Sequence, residues 1–169
     1  MTEAITPMQP HIPLGQRLRF YWALTKWLQS SLLLLTGLAG YLSSRVPFRP
    51  TDFAQMLPSL FLAICGSTIL NMWWDRDIDA RMKRTHRRPA PAGMLPSREV
   101  LILGTLASVL GIGWAFGLGA SYGNVVFAGW FFDVVVYSIW LKRRTCWSIV
   151  WGGVAGAMPV LAGRVLATG

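Results

Sequence analysis

Five apolar stretches recur along this chain, each near the ~20 residues that a helix needs to cross a bilayer, and short segments carrying most of the cations separate them. No other feature limits the fold so strongly. A backbone surrounded by hydrocarbon must satisfy its N–H and C=O groups internally, and an α-helix does so within each segment. The expected fold class is therefore all-α, a polytopic membrane helical bundle of about five transmembrane helices, with the lipid bilayer as its first partner. Composition agrees, because 53% hydrophobic and 14% charged residues with a mean hydropathy of +0.44 lie far from the ~25% charged residues of soluble domains. A net charge of +9 would suggest nucleic acid in a soluble chain. Here the cations sit between apolar runs, the pattern that orients membrane helices, and no nucleic-acid partner is expected.

Residues 1–16 contain Pro7, Pro10 and Pro13 and read as a mobile tail rather than a helix. They lack a basic start followed by an apolar core and a small-residue cleavage site, so no cleaved signal peptide is expected. Residues 17–169 form one transmembrane domain with spans near 18–44, 53–74, 100–118, 125–141 and 146–168. With the N-terminus inside, only Arg45, Arg49 and Arg164 of the sixteen cations fall outside the cytoplasmic segments, as the positive-inside bias requires. Lys26 lies close enough to the start of the first span to snorkel toward the headgroups. Gly37, Gly40 and the pair Gly152-x3-Gly156 read as close helix contacts. Cys65 and Cys146 show no ligand spacing and read as packing residues, and His11 and His86 are isolated.

One stretch departs from this pattern. Asn71, Asp75 and Asp79 stand at i, i+4 and i+8 where the second span ends, a spacing that lines one helix face over about two turns. Two carboxylates and an amide stacked in this way form an oxygen-rich strip suited to a hard divalent cation. Mg²⁺ in particular is held by one or two carboxylates while phosphates and waters complete its shell. Asp77 points elsewhere and is placed to pair with Arg81. Acids that merely neutralise neighbouring arginines at a membrane boundary are the plainer reading, but the regular spacing beside an apolar span favours a site. The segment 76–98 is the most cationic in the chain; its Lys83, Arg84 and Arg88 either satisfy the orientation bias or bind a diphosphate, whose oxygens match guanidinium groups. Asp133 sits inside the fourth span, where an ionised carboxylate costs about 2.5 kcal/mol or more. It is either a site residue or a protonated or hydrogen-bonded bystander.

The run Asp75-Arg76-Asp77-Ile78-Asp79, followed by Met82, Arg84-Thr85 and Arg88-Pro89, resembles the first aspartate-rich motif of the UbiA-type intramembrane prenyltransferases, in particular their protoheme IX farnesyltransferase branch. Two later blocks carry the same resemblance: Tyr137-Ser138-Ile139-Trp140-Leu141-Lys142-Arg143-Arg144-Thr145, and Gly152-Gly153-Val154-Ala155-Gly156-Ala157-Met158-Pro159. The chain departs from the family pattern at Trp27-Leu28, where Pro-Arg usually follows the lysine, at Ser138 in place of threonine, and at Asp133 in place of an aromatic residue. The resemblance implies the N-terminal portion of a nine-helix fold in a bacterial inner membrane, with the motif loops cytoplasmic. It implies transfer of a farnesyl group from farnesyl diphosphate to the vinyl group of protoheme IX, giving heme O. By the same resemblance Asp75 and Asp79 hold Mg²⁺ and Asn71 orients them, while Lys83, Arg84, Arg88, Lys142 and Arg143 bind the diphosphate. Alternative readings are a quinone-precursor or chlorophyllide acceptor, or a non-catalytic membrane component whose acidic strip binds an ion or a partner helix. Family members carry a second aspartate motif that this sequence does not contain. The expectation is an incomplete product or half of a split enzyme, inactive alone, with a second chain supplying the missing acids.

Overall fold

The computed structural model describes residues 13–44, 46–83 and 95–169. The expected tail up to residue 12, together with Arg84 and Arg88, lies outside the described residues. The elements are α1 (Leu14–Leu24), α2 (Trp27–Leu42), α3 (Pro50–Trp74), α4 (Arg76–Arg81), α5 (Ser97–Leu118), α6 (Ala120–Phe131), which continues as a π-helical segment (Phe132–Leu141), and α7 (Ser148–Thr168). Among the described residues there is no strand. Four helical stretches are long and apolar enough to cross a membrane, Pro50–Trp74, Ser97–Leu118, Ala120–Leu141 and Ser148–Thr168, and the apolar Trp27–Leu42 is shorter. The all-α polytopic class is thus observed.

Two boundaries differ from the sequence expectation. The first span is broken in two because Lys26 takes a left-handed backbone (φ 44°) between α1 and α2, a conformation costly for a residue with a Cβ. The break is tied by polar groups: the Thr25 hydroxyl donates to the Trp22 carbonyl at 2.8 Å, and the Ser30 hydroxyl donates to the Thr25 carbonyl at 2.6 Å. The uncharged stretch 119–124, expected to connect the third and fourth spans, is helical from Ala120 onward, leaving Gly119 as the connection between α5 and α6. Tyr122 explains this, since it is buried with its hydroxyl 2.9 Å from that of Ser59 on α3, and a partnered hydroxyl removes the penalty of burying it.

Helix α3 is the centre of the bundle. It packs along α5 and also meets α2, α6, α7 and the π-helical segment, while α2 lies against α7. Its Met56, Leu60, Ala63 and Ile64 form a core with Tyr41 of α2, Ala115 of α5, Tyr122 and Val126 of α6, and Ala162 of α7. Leu24, Ile69, Met72, Leu95 and Val100 form a second core nearer the end where α3 stops. The other long helices turn Leu106, Val109, Leu110, Phe116 and Ile149 outward, as expected of faces that meet acyl chains.

Hydrocarbon gives helices no solvent-driven reason to associate, so close backbone approach must supply the contact. Gly163 of α7 stands against the Gly37 carbonyl, and Gly40 of α2 against the Val160 carbonyl; the expectation that Gly37 and Gly40 serve packing is borne out. A side chain at either place would meet backbone that cannot rotate away. Gly163→Leu is therefore expected to destabilise the protein by about 2–3 kcal/mol, the upper range for overpacking, read as a lower unfolding midpoint in detergent. Gly113→Ala, whose added methyl meets open space, serves as the comparison and should leave that midpoint unchanged or slightly raised.

Candidate active site

Asp75 is the residue at which α3 ends and α4 begins, with φ −89° and ψ 1°. The backbone bonds that set the spacing survive this junction. Asp75 N–H donates to the Asn71 carbonyl at 3.0 Å and Asp79 N–H to the Asp75 carbonyl at 2.8 Å. The i, i+4, i+8 register expected of one helix thus carries across two, and all three side chains line one cavity of about 520 Å³. Lys26 and Gln29 close it from the α1–α2 break, Asp133, Tyr137 and Lys142 from the π-helical segment, and Gly152 from α7.

The π-helical backbone positions the lysine. Lys142 N–H donates to the Tyr137 carbonyl five residues back at 2.8 Å, and the ammonium lies 5.2 Å from the centroid of the Tyr137 ring, within cation–π range. From there Lys142 Nζ forms a short ion pair with Asp75 Oδ2 and reaches Asn71 Oδ1 at 3.5 Å. Asp75 is 3% exposed. A carboxylate so far from water needs a countercharge, and Lys142 supplies it to one oxygen. The other, Oδ1, is buried with no hydrogen-bond partner.

Below this polar chamber, toward the middle of the bundle, lies a narrower one of about 150 Å³, lined mainly by Leu33, Leu60, Ala63, Ile64, Val126, Met158 and Pro159. Gln29, Asp133 and Gly152 belong to both chambers and form the waist between them. Gly152 and Gly156, read from sequence as helix contacts, both line the cavity, and of the two only Gly152 also admits a neighbouring segment. A Cβ at Gly156 would meet nothing within 4 Å, and one at Gly152 would touch the Tyr137 ring at 3.3 Å. The close approach of α7 to α2 is made at Gly163.

Arg143 takes a different place from Lys142. Its Nη2 donates to Asp77 Oδ1 and to the Trp74 carbonyl, both at 2.8 Å, its Nη1 donates to Asp77 Oδ2 at 3.1 Å, and its guanidinium covers the Trp74 ring. Asp77 thus finds its partner in the loop before α7 rather than in Arg81. The reason is the kink at Asp75, which ends α3 with an open carbonyl that a guanidinium reaches together with the carboxylate. Arg143 hydrogen bonds hold the Asp77 carboxyl below the usual aspartate range. Lys83 is exposed at the end of α4 and does not line the cavity. Cys65 is buried as expected, whereas Cys146 is exposed.

Sequence reasoning missed Lys26, which lines the polar chamber and does not merely reach for headgroups. The available signal was the polar cluster Thr25, Lys26, Gln29 and Ser30 inside an apolar run, since polar groups at membrane depth face a cavity or each other.

Comparison with known proteins gives a consistent picture. The profile of the UbiA prenyltransferase family matches residues 32–169. A protoheme IX farnesyltransferase of Archaeoglobus fulgidus is 46% identical over 156 residues, covering 91% of this chain and 54% of the relative. One from Ruegeria pomeroyi is 44% identical over 152 residues, covering 88% and 47%. The chain thus spans about half the length of the curated relatives it matches. A solved UbiA homologue from Archaeoglobus fulgidus, bound to GPP and Mg²⁺, superposes with a TM-score of 0.72 at 16% identity over 89% of this chain and 54% of that one.

The Arg143 clasp can be tested by titration. The depressed pKa means that the pairing is intact above the ordinary aspartate range and is lost as pH falls through the lowered folded value. Arg143→Gln should return the Asp77 pKa toward the ordinary value in a carboxyl-carbon NMR titration; an unmoved Asp77 would dismiss the clasp.

Proposed function

Because this chain belongs to the UbiA prenyltransferase family, we propose that it carries the diphosphate-binding site of a protein that transfers a farnesyl group from farnesyl diphosphate to the vinyl group of protoheme IX, giving heme O. The observation that carries this reading is the Asp75 carboxylate, with one oxygen on Lys142 and the other buried and unpartnered, in a polar chamber that narrows into an apolar one. That sequence of environments matches a charged head followed by a prenyl tail. The acceptor assignment draws on the two relatives named protoheme IX farnesyltransferase.

The residues fit a divalent cation. Asp75 Oδ1 is an oxygen in want of a partner, and Asp79, one turn on, lines the same chamber; two carboxylates with phosphate and water suffice for Mg²⁺. When bound there, Mg²⁺ neutralises charge on the departing diphosphate. Asn71 orients the pair through its amide oxygen near Lys142. Lys142 exchanges partners, resting on Asp75 until phosphate oxygens arrive and then binding them, and Lys26 supplies a second cation across the chamber. Arg143 holds the α3–α4 junction to the loop before α7, and thereby aims Asp75. By the family resemblance Lys83, Arg84 and Arg88 add to the cations that bind the diphosphate, the last two lying outside the described residues. The site lies at the cytoplasmic end of the membrane-spanning bundle, since Arg17, Arg19, Lys26, Arg76, Arg81, Lys83, Arg98, Lys142, Arg143 and Arg144 gather there, as the positive-inside bias requires.

Binding tests the reading without requiring turnover. The chain in detergent or nanodiscs should bind farnesyl thiodiphosphate, which resists cleavage, only when Mg²⁺ is present. Asp75→Asn should weaken that binding about 100-fold, the upper range for loss of a metal ligand or its support; metal-independent binding, or full binding by Asp75→Asn, would overturn the assignment.

Lys142→Met makes a second, opposite-signed forecast. Leaving the Asp75 carboxylate unpaired should lower metal-free stability by about 2 kcal/mol, less than for a fully buried pair because the Lys142 side chain is 33% exposed. Millimolar Mg²⁺ should restore part of it in thermal unfolding.

A further inference from the structure

Asp133 is the one carboxylate among the described residues that lines both chambers. It stands near the start of the π-helical segment, where the Ser138 hydroxyl donates to its backbone carbonyl at 2.7 Å. Its side chain lines the cavity and is hydrogen-bonded to Ser67 of α3. The positive charges of Lys26 and Lys142, which line the same polar chamber, favour its ionised form, and the negative charge of Asp75 opposes it. A carboxylate inside a membrane span is expensive and persists where it does chemistry or meets a partner. Neither diphosphate recognition nor tail burial gives this one a task.

The order of the cavity supplies the task. With the diphosphate held by Lys26 and Lys142, and by Asp75 and Asp79 through a divalent cation, the carbon bonded to it would sit where the polar chamber meets the apolar one that takes the tail. The allylic carbons therefore fall at the waist, beside Asp133. We propose, on the prenyl diphosphate reading above, that the Asp133 carboxylate is a catalytic residue that stabilises the positive charge developing on the allylic carbons as the carbon–oxygen bond breaks. The bonding pair of electrons leaves with the diphosphate, the allylic fragment carries the resulting positive charge, and the carboxylate neither gains nor loses a proton. The fixed charge acts in a site shielded from water, where electrostatic stabilisation is strongest. The waist also separates opposite charges by function: lysines meet the anionic leaving group and Asp133 meets the cationic fragment.

Two ligands of equal length separate this role from a structural one. The first is farnesyl thiodiphosphate, uncharged along its carbon chain. The second is a farnesyl diphosphate analogue in which a tertiary amine, protonated at neutral pH, replaces the branched allylic carbon and the adjacent double bond is saturated, placing a cation at the waist. By calorimetry with Mg²⁺, the unaltered chain should bind the ammonium analogue at least about 10-fold more tightly, as expected of a mimic of the charged state. Asp133→Asn should abolish that preference while leaving thiodiphosphate binding within about 2-fold, which also reports an intact fold. A preference that survives Asp133→Asn, or no preference in the unaltered chain, would overturn the role of Asp133 and leave the diphosphate site standing. Failure of the unaltered chain to bind either ligand would overturn the diphosphate reading and this inference with it.

Discussion

The ion pair between Asp75 and Lys142 joins the end of the central helix to the end of the fourth span, and the site geometry depends on it. A nearly buried carboxylate at a membrane boundary is tolerable only with a countercharge at contact distance. Satisfying it fixes where α3 must stop and how the π-helical segment must present its last residues. Arg143, the next residue, clasps Asp77 and the Trp74 carbonyl on the other side of the same junction. Two consecutive cations thus grip two acids two residues apart, one facing the cavity and the other the solvent. The kink at Asp75 lets both grips close at once, because a straight helix would turn Asp77 away from the loop before α7.

The π-helical stretch has a corresponding cause. Between Asp133 and Lys142 the chain must offer the cavity a carboxylate at the waist, an aromatic ring above it and an ammonium at the mouth. Tyr137 and Lys142 are five residues apart, and the wider turn bonds their backbones directly and stacks the ammonium over the ring. Widened turns of this kind concentrate at functional sites, since they are less stable than α-turns and persist where side-chain placement compensates. The Ser138 hydroxyl on the Asp133 carbonyl is one such compensation, made by a residue that is itself fully buried.

Much of this was legible in the sequence. Apolar runs of bilayer length gave the class and most spans, and the spacing of Asn71, Asp75 and Asp79 gave one wall of the cavity, since a periodicity of about 3.6 survives a single kinked residue. The motif around Lys142 gave the facing cation by resemblance. What escaped was decided by tertiary contact. Lys26 looks like a headgroup anchor until the helix breaks at it, and no local propensity announces a left-handed lysine. Gly152 and Gly156 follow the spacing of a packing motif, yet only Gly152 meets a neighbour, the Tyr137 ring, while Gly156 opens onto the cavity, because the outcome depends on what stands opposite. The partner of Asp77 was misjudged for a similar reason, because i, i+4 pairing presumes an unbroken helix and the chain supplies a better donor sixty-six residues away.

The break at Lys26 also bears on how a short helix can belong to this bundle. At 16 residues, α2 reaches about 24 Å, less than the ~30 Å of a bilayer core, and α1 cannot extend it because the backbone turns at Lys26. The shortfall falls at the end where the polar chamber opens, so the missing turn becomes chamber wall rather than exposed backbone. Gly40 and Gly163 fix α2 tightly against α7, and the break therefore holds Lys26 and Gln29 opposite the acidic strip. A longer, continuous first helix would fill that space with apolar side chains. Shortening one span is thus what allows cations and carboxylates to share a chamber at membrane depth, with Lys142 and Asp75 pairing across it from different helices.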